Sequence, residues 1–222
     1  MDNSKRARKA SPAAEPAREN TGLSADRILE VAIKICERDG FEAISMRRLA
    51  DELGVSPMAM YRHVETKHAL LELIADKYIA LLDLAEDEPD WRRRLVRVFR
   101  SLRDLMVEHP VLAHVLIAQP VEGPTAYAFA EAVLGVLRGQ GFSDEHAVEL
   151  FGMLASFTVG FTLVQRSRVS GSQDGQERVD HIRSSPQHSN LTAVAEDFVR
   201  WPRPDVFQTG LERLIGPSPH PA

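Results

Sequence analysis

The sequence predicts an all-α protein in which a small three-helix unit precedes a larger helical bundle. Three observations carry this reading. Apolar residues recur with a helical period over most of the 222 residues, and no run alternates as a half-buried strand would. A helix of barely two turns is specified between two others within "LADELGVSPMAMYRHVETKHALL", Leu49 to Leu71. A long later helix, from Ser143 or Asp144 to about Arg168, carries small residues every fourth position at Gly152, Ser156 and Gly160.

Residues 1–22 mix Lys5, Arg6, Arg8, Lys9 and Arg18 with Pro, Ala and acids, a composition that buries little surface and is expected to be disordered. Such an arm is either a solvated tail or a basic strand for a minor groove or phosphates. From Ser24 the pattern turns helical: Ile28, Ala32, Ile35 and Cys36 share a face, Leu23 and Ile28 have staple spacing, and Gly40 closes the helix before Phe41. Ser45 caps a second helix whose Met46, Leu49, Ala50 and Leu53 face inward, leaving Arg47 and Arg48 near its N-terminal end.

The ends of the short third helix are well specified. Gly54 sits where a left-handed cap belongs, Ser56 caps the third helix itself, and Pro57 falls at the first helical position, where a missing N–H costs nothing. Val55 and Met60 have the spacing of a hydrophobic staple. At about 100° per residue, Met60 and Val64 turn inward while Met58 and Arg62 point away, with Ala59 beside them and Tyr61 and His63 as flanks. A helix held by two inward residues and presenting a small outward face suits insertion into a groove, as the second helix of a helix-turn-helix does.

Thr66 then caps a fourth helix running from Lys67 toward Leu84. Trp91 to Glu108 is a helix carrying Leu95, Val98, Phe99, Leu102 and Met106, broken by Pro110 after His109. A short apolar segment, Val111 to Ala118, stops at Pro120, "VEGPT" is a loop, and Ala126 to Gly139 is helical. After the long helix, residues 169–190 lack periodicity, are rich in turn residues and are expected to form a mobile loop. Leu191–Val199 and Asp205–Ile215 are short amphipathic helices, and 217–222 is a fraying tail. There is no internal repeat and no Gly-rich phosphate loop.

The net charge of -5 argues against non-specific coating of nucleic acid, but it is uneven: 12 Lys+Arg face 11 Asp+Glu through residue 70, and 15 face 21 beyond it. The N-terminal third is the part that tolerates phosphates. A single cysteine, Cys36, excludes an internal disulfide and a multi-cysteine zinc site, and its place on an apolar face marks it as a core residue rather than a redox sensor. Without the apolar stretch of a signal peptide, the chain is expected to be cytoplasmic.

From about Leu23 to Ala80 the residues resemble the DNA-binding domain of the TetR family of transcriptional regulators. The resemblance rests on the Gly40-Phe41 pair after the first helix, on Leu49-Ala50 followed by Leu53-Gly54-Val55-Ser56, and on Tyr61, His63 and Lys67 before Leu70-Leu71. The remainder is similar to the subgroup of the tetracycline repressor itself, through "HPVLAHVL", the long helix with its small-residue stripe, and "FQTGLERLIG". The resemblance implies a helix-turn-helix DNA-binding domain over 23–68 and a regulatory and dimerisation domain over 69–216. It also implies a homodimer on a palindromic operator and a repressor released by a small apolar ligand.

With that implication the outward face gains roles. Arg47, Pro57, Met58, Ala59 and Arg62 are the candidates for base contact, Arg62 by two hydrogen bonds to guanine and Met58 and Ala59 against thymine methyls. The family often carries a bulky aromatic where Arg62 stands. Ser45, Arg48, Tyr61, His63, Thr66 and Lys67 are assigned to phosphates, which fix register without reading sequence.

In the larger domain the apolar Phe99, Leu102, Met106, Leu116, Phe129, Val133, Phe157 and Phe161 are candidate cavity walls. His109, His114, Tyr127, Thr158 and Gln165 are candidate polar contacts. Gly152, Ser156 and Gly160, with Phe207, Leu211 and Leu214, are candidate dimer-interface residues, the alternative for the stripe being close packing inside one subunit.

No metal site or cofactor is expected, because His109 and His114 lie five apart across a proline and no His-Glu-x-x-His string occurs. Two rival readings remain: a constitutive DNA-binding dimer without ligand, and a helical enzyme with a DNA-binding module, for which sequence order supplies no nucleophile–base pair.

Overall fold

The computed structural model describes residues 23–169, 175–185 and 187–216. The expected basic arm, 1–22, and the tail, 217–222, lie outside them. Among the described residues there are twelve α-helices and no strand.

The first three helices form where their caps place them. In α1 (Ala25–Asp39) the Ser24 hydroxyl accepts the Arg27 N–H, and Gly40, at φ 88°, turns the chain into a single 3-10 turn, Phe41–Ala43. In α2 (Met46–Leu53) Ser45 accepts the Arg48 N–H, and Gly54 adopts the left-handed conformation at φ 67°, its N–H reaching back to Ala50 and Asp51 carbonyls. Ser56 caps α3 (Pro57–Tyr61) through the Ala59 N–H. Met60 and Val64 are buried, and Val55 packs against the same core, so the staple closes as its spacing predicts.

Helix α4 (Lys67–Ile79) is shorter than its sequence pattern suggests, which extended it toward Leu84. It ends because the following segment finds better partners on α5 (Trp91–Glu108) than in another helical turn. The Ser101 hydroxyl accepts the Asp83 N–H, Arg94 donates to the Leu84 carbonyl, and Arg97 donates to Asp83 and Asp87. Asp90 caps α5 by accepting the N–H groups of Arg92 and Arg93, and those bonds hold its carboxyl below the usual range.

Next come α6 (Pro110–Ala118), α7 (Pro124–Gly139) and the long α8 (Asp144–Val169). The expected mobile loop at 169–190 is replaced in its described part by α9 (Gly175–Arg183) and the start of α10 (Ser189–Ala193). Val179 is buried and Arg183 pairs with Glu196 at 2.9 Å. That helix carries too few apolar residues to show a period. The single helix expected at Leu191–Val199 is divided at Val194 between α10 and α11 (Ala195–Arg200), and α12 (Pro204–Ile215) closes the chain.

Helix α8 is the axis of the bundle, packed by α5, α6, α7 and α12, while α4 packs on α1, α6 and α7. By length and composition α8 would suffice to cross a membrane, yet here it is the bundle's central helix. The buried side chains form one connected core from Ile28 in α1 to Ile215 in α12, so α4 is shared by both ends of the molecule. Cys36 belongs to this core, and burial pushes its thiol up to about 11, leaving it protonated and unreactive.

The face assignment of α3 has a direct test. Met60→Ala is expected to lower unfolding stability by about 2–5 kcal/mol, whereas Met58→Ala should change it by less than about 0.5 kcal/mol, both read from denaturant melts. Comparable losses for the two would mean that α3 is rotated from the orientation described.

Candidate DNA-reading face and ligand cavity

The outward face is built by α2, α3 and the first turn of α4. Met58 is 71% exposed and Tyr61 44%, and Arg47, Pro57, Arg62 and His63 are also exposed, with Ala59 half-buried beside them. The side chains of Arg47 and Arg62 have no hydrogen bond or ion pair among the described residues, so both guanidinium forks are available.

Arg48 differs. It is bonded to Asp39, which also takes Arg38 at 2.7 Å, and Arg38 reaches Glu52 at 2.8 Å. The Arg38 hydrogen bonds hold the carboxyls of Asp39 and Glu52 below the usual range. Ser45 and Thr66 use hydroxyl lone pairs as caps, Thr66 accepting the Ala69 N–H at 3.0 Å, and each keeps its O–H free to donate. The Lys67 ammonium lies 5.5 Å over the Phe41 ring.

The other side of that contact leads into the bundle. Phe41 stacks on His114 of α6 at 5.4 Å, and Tyr78 of α4 stacks on His109 at 4.3 Å. Both histidines therefore face the first four helices and line a small, separate depression with Cys36 and Phe41, not the bundle's cavity as their sequence positions suggested. Pro110, by starting α6 between them, orients both toward α1 and α4.

The apolar cavity lies where the end of α4, α5, the end of α6, the 119–122 loop, α7 and α8 meet, with a volume of about 660 Å³. That size suits a drug-like molecule. Of the candidate wall and contact residues, Leu102, Leu116, Tyr127 and Phe129 line it. Phe99, Met106, Val133, Phe157, Thr158 and Phe161 do not, because they are taken up by packing between helices. Thr158 returns its hydroxyl to the Leu154 carbonyl at 2.7 Å, and Gln165 accepts from Arg103 at 2.8 Å.

Sequence reasoning missed Ile79, Gln119, Val121, Phe151, Ala155 and Val159, all of which line the cavity. A period identifies an apolar face, and Phe151, Ala155 and Val159 have one. It does not say whether the space opposite is filled.

The dimer candidates separate in the same way. Phe207 and Leu211 are buried inside the subunit, Phe207 stacked on Phe157 at 5.5 Å and close to Phe161 at 5.2 Å, so they are no longer surface candidates; Leu214 is half-buried against the core. The close backbone approach that a small residue permits occurs at Gly210, where any Cβ would strike the Phe157 ring. Gly152 faces open space, and Gly160 and the exposed Ser156 lie at the cavity, so the stripe is not packed within the subunit and only Gly152 is clear of the cavity.

Two polar contacts tie the cavity's rim to α4. Gln119 donates its side-chain amide to the His68 carbonyl at 3.1 Å, and Thr125 donates its hydroxyl and its N–H to the Asp76 carboxylate. Gly123 heads α7 without a side chain of its own, and Asp76 supplies the missing cap from α4. A Cβ on Gly123 would collide with the Asp76 carboxylate, which explains the glycine.

These features meet matching relatives. The family model described as "Bacterial regulatory proteins, tetR family" matches residues 28–74, and "Tetracyclin repressor-like, C-terminal domain" matches residues 85–216. The chain belongs to the TetR family. It is 31% identical over 206 residues to the HTH-type transcriptional repressor DrrR1 of Streptomyces coeruleorubidus, covering 87% of this chain and 76% of that one. It is 27% identical to the class A tetracycline repressor protein from transposon 1721 of Escherichia coli, over 88% of this chain and 90% of that one. The TetR family protein ActR of Streptomyces coelicolor, solved in complex with actinorhodin, superposes with a TM-score of 0.78 at 31% identity, over 88% of this chain and 96% of that one. This TetR-family chain is thus a DNA-binding transcriptional regulator with a helix-turn-helix domain and a helical ligand-binding domain.

The role given to Asp76 predicts opposite outcomes for two glycines. Gly123→Ala should displace the carboxylate and lower stability by about 0.5–2 kcal/mol, the range for a lost cap. Gly135→Ala, in α7 with open space around it, should raise stability by about 0.4–1 kcal/mol. Thermal melts of both variants decide the matter, and a neutral Gly123→Ala would remove Asp76 as the cap of α7.

Proposed function

We propose that the protein is a homodimeric repressor that places two copies of α3 in successive major grooves of a palindromic operator, and that a small, mainly apolar ligand in the 660 Å³ cavity releases it. One observation carries the ligand-release half: the rim segment 119–125 is bonded at both ends to α4, whose first turn bears Thr66 and Lys67 beside the reading helix. A ligand that pushes on Pro120, Val121 or Glu122 therefore loads α4 at His68 and Asp76 together. The ligand acts only through different affinities for the operator-bound and released arrangements, and a coupling of about 1–3 kcal/mol suffices for regulation. This tie favours a sensor over a DNA-binding dimer that takes no ligand.

On the DNA side, the free guanidinium groups of Arg47 and Arg62 are the base readers, with Pro57, Met58 and Ala59 against base edges. Tyr61, His63, Lys67 and the hydroxyl protons of Ser45 and Thr66 reach phosphates. Arg48 joins them only by leaving Asp39. A repressor of this kind works in the cytoplasm.

Selection of binders from a random duplex library at one stated salt concentration is expected to enrich a palindrome. Arg62→Ala should then lose about 1–3 kcal/mol and relax preference at one base pair per half-site, whereas Lys67→Ala should weaken all sequences alike and reduce the salt slope. Uniform losses for both variants would remove Arg62 as a reader.

The dimer reading rests on the outer face of α8, where Val148, Met153 and Val164 are exposed beside Gly152, Ser156 and Gly160. An apolar, low-relief helix face of this kind needs cover. Gly152 belongs to the stripe without lining the cavity, so Gly152→Leu should shift the sedimentation-equilibrium mass from dimer to monomer at micromolar protein. An unchanged dimer would place the interface elsewhere.

A further inference from the structure

The chemistry of the cavity wall narrows the ligand further. Among the described residues that line it Glu122 is the one charged group, and none is a lysine, arginine or histidine. Elsewhere this chain supplies arginine freely: the two surface depressions along α5 are lined by Arg97 and Arg100, one of them also by Arg92 and Arg93. Glu122, Ile117 and Tyr127 are exposed, so Glu122 stands where the cavity opens to water, and an anionic ligand would meet like charge there and no cation in the wall.

Glu122 is exposed and has no hydrogen bond or ion pair among the described residues, whereas Asp76, half-buried one helix away, is bonded to Thr125. The remaining walls supply ring faces. Tyr127, Phe129 and Phe151 line the same space, with Phe129 and Phe151 tilted at 54° and 5.7 Å apart, so that a flat ring system meets aromatic surface and a cation meets negative ring faces. The Gln119 side-chain amide already donates to the His68 carbonyl, and its side-chain oxygen adds an acceptor.

Resting on the reading of this cavity as the ligand site, we propose that the ligand is a planar aromatic molecule bearing a protonated amine, with the ring system among Tyr127, Phe129 and Phe151 and the ammonium group at Glu122. Because Glu122 stands between Gln119 and Thr125, the two points tied to α4, the ammonium group pulls on the rim segment itself. Recognition of the charge and release of DNA thus use the same stretch of chain.

The test uses three fluorescent probes of nearly equal size: pyrenylmethylamine, pyrenylmethanol and pyrenecarboxylate. Binding is titrated near neutral pH to the full chain, to Glu122→Gln and to Ala155→Trp, which fills the cavity. The amine is expected to bind about fivefold tighter than the alcohol, the ratio for a partly solvated ion pair, and the carboxylate weaker than either. Glu122→Gln should bring amine and alcohol to equal affinity without changing the alcohol.

Equal affinities in the unmodified chain, a preference for the carboxylate, or an amine preference that survives Glu122→Gln would overturn the proposed ligand class. The cavity reading would still stand if Ala155→Trp abolished alcohol binding. No binding by any probe, or binding indifferent to Ala155→Trp in a variant that melts as the unmodified chain does, would overturn the cavity as the ligand site and this proposal with it.

Discussion

The hydrogen bonds from Thr125 to the Asp76 carboxylate are the constraint on which the rest of the arrangement depends. Helix α7 begins at a glycine and has no cap of its own, so its first N–H, that of Thr125, is satisfied by a carboxylate carried on another helix. That makes α4 part of two structures at once. Its N-terminal turn is set by Thr66 and comes directly after the reading helix, while its middle holds the start of α7 and its last residue, Ile79, lines the cavity. A rigid helix of 13 residues spans about 20 Å, so a displacement at Asp76 is delivered to Lys67 with little loss.

The aromatic contacts at the junction reinforce this geometry. Phe41 contacts both Lys67 and His114, and Tyr78 lies on His109, so the turn after α1 and the body of α4 both rest on the start and body of α6. The buried core continues through this junction without interruption. The family's division into a DNA-binding and a regulatory part is therefore a division of roles, with no break in packing at α4.

Local chemistry made the starts of the first four helices legible in the sequence. Ser24, Ser45, Ser56 and Thr66 each cap the helix they precede, Gly54 takes the left-handed conformation its position demands, and Met60 and Met58 fall on opposite sides as a period of 3.6 requires. What stayed hidden depends on partners distant in the chain. The end of α4 is decided by Ser101, Arg94 and Arg97, and α9 by a single buried Val179 and an ion pair to Glu196. Cavity walls are hidden for a different reason. Phe99 and Phe129 are equally apolar and touch edge to face, yet one is core and the other is wall, because the difference lies in what the facing helices leave empty.

The distribution of charge suits a reader of sequence rather than a coat on DNA. Arg38 and Arg48 sit close to the reading helix but are held by Asp39 and Glu52, which lowers the positive potential the surface offers to phosphates of any sequence. Non-specific affinity depends on the number of phosphates neutralised, whereas discrimination depends on groups that meet base edges. Holding two arginines in ion pairs while leaving Arg47 and Arg62 unpaired weakens the first contribution more than the second. With a net charge of -5 on the chain, the proposed operator binding would lean on the contacts that α3 offers rather than on charge alone.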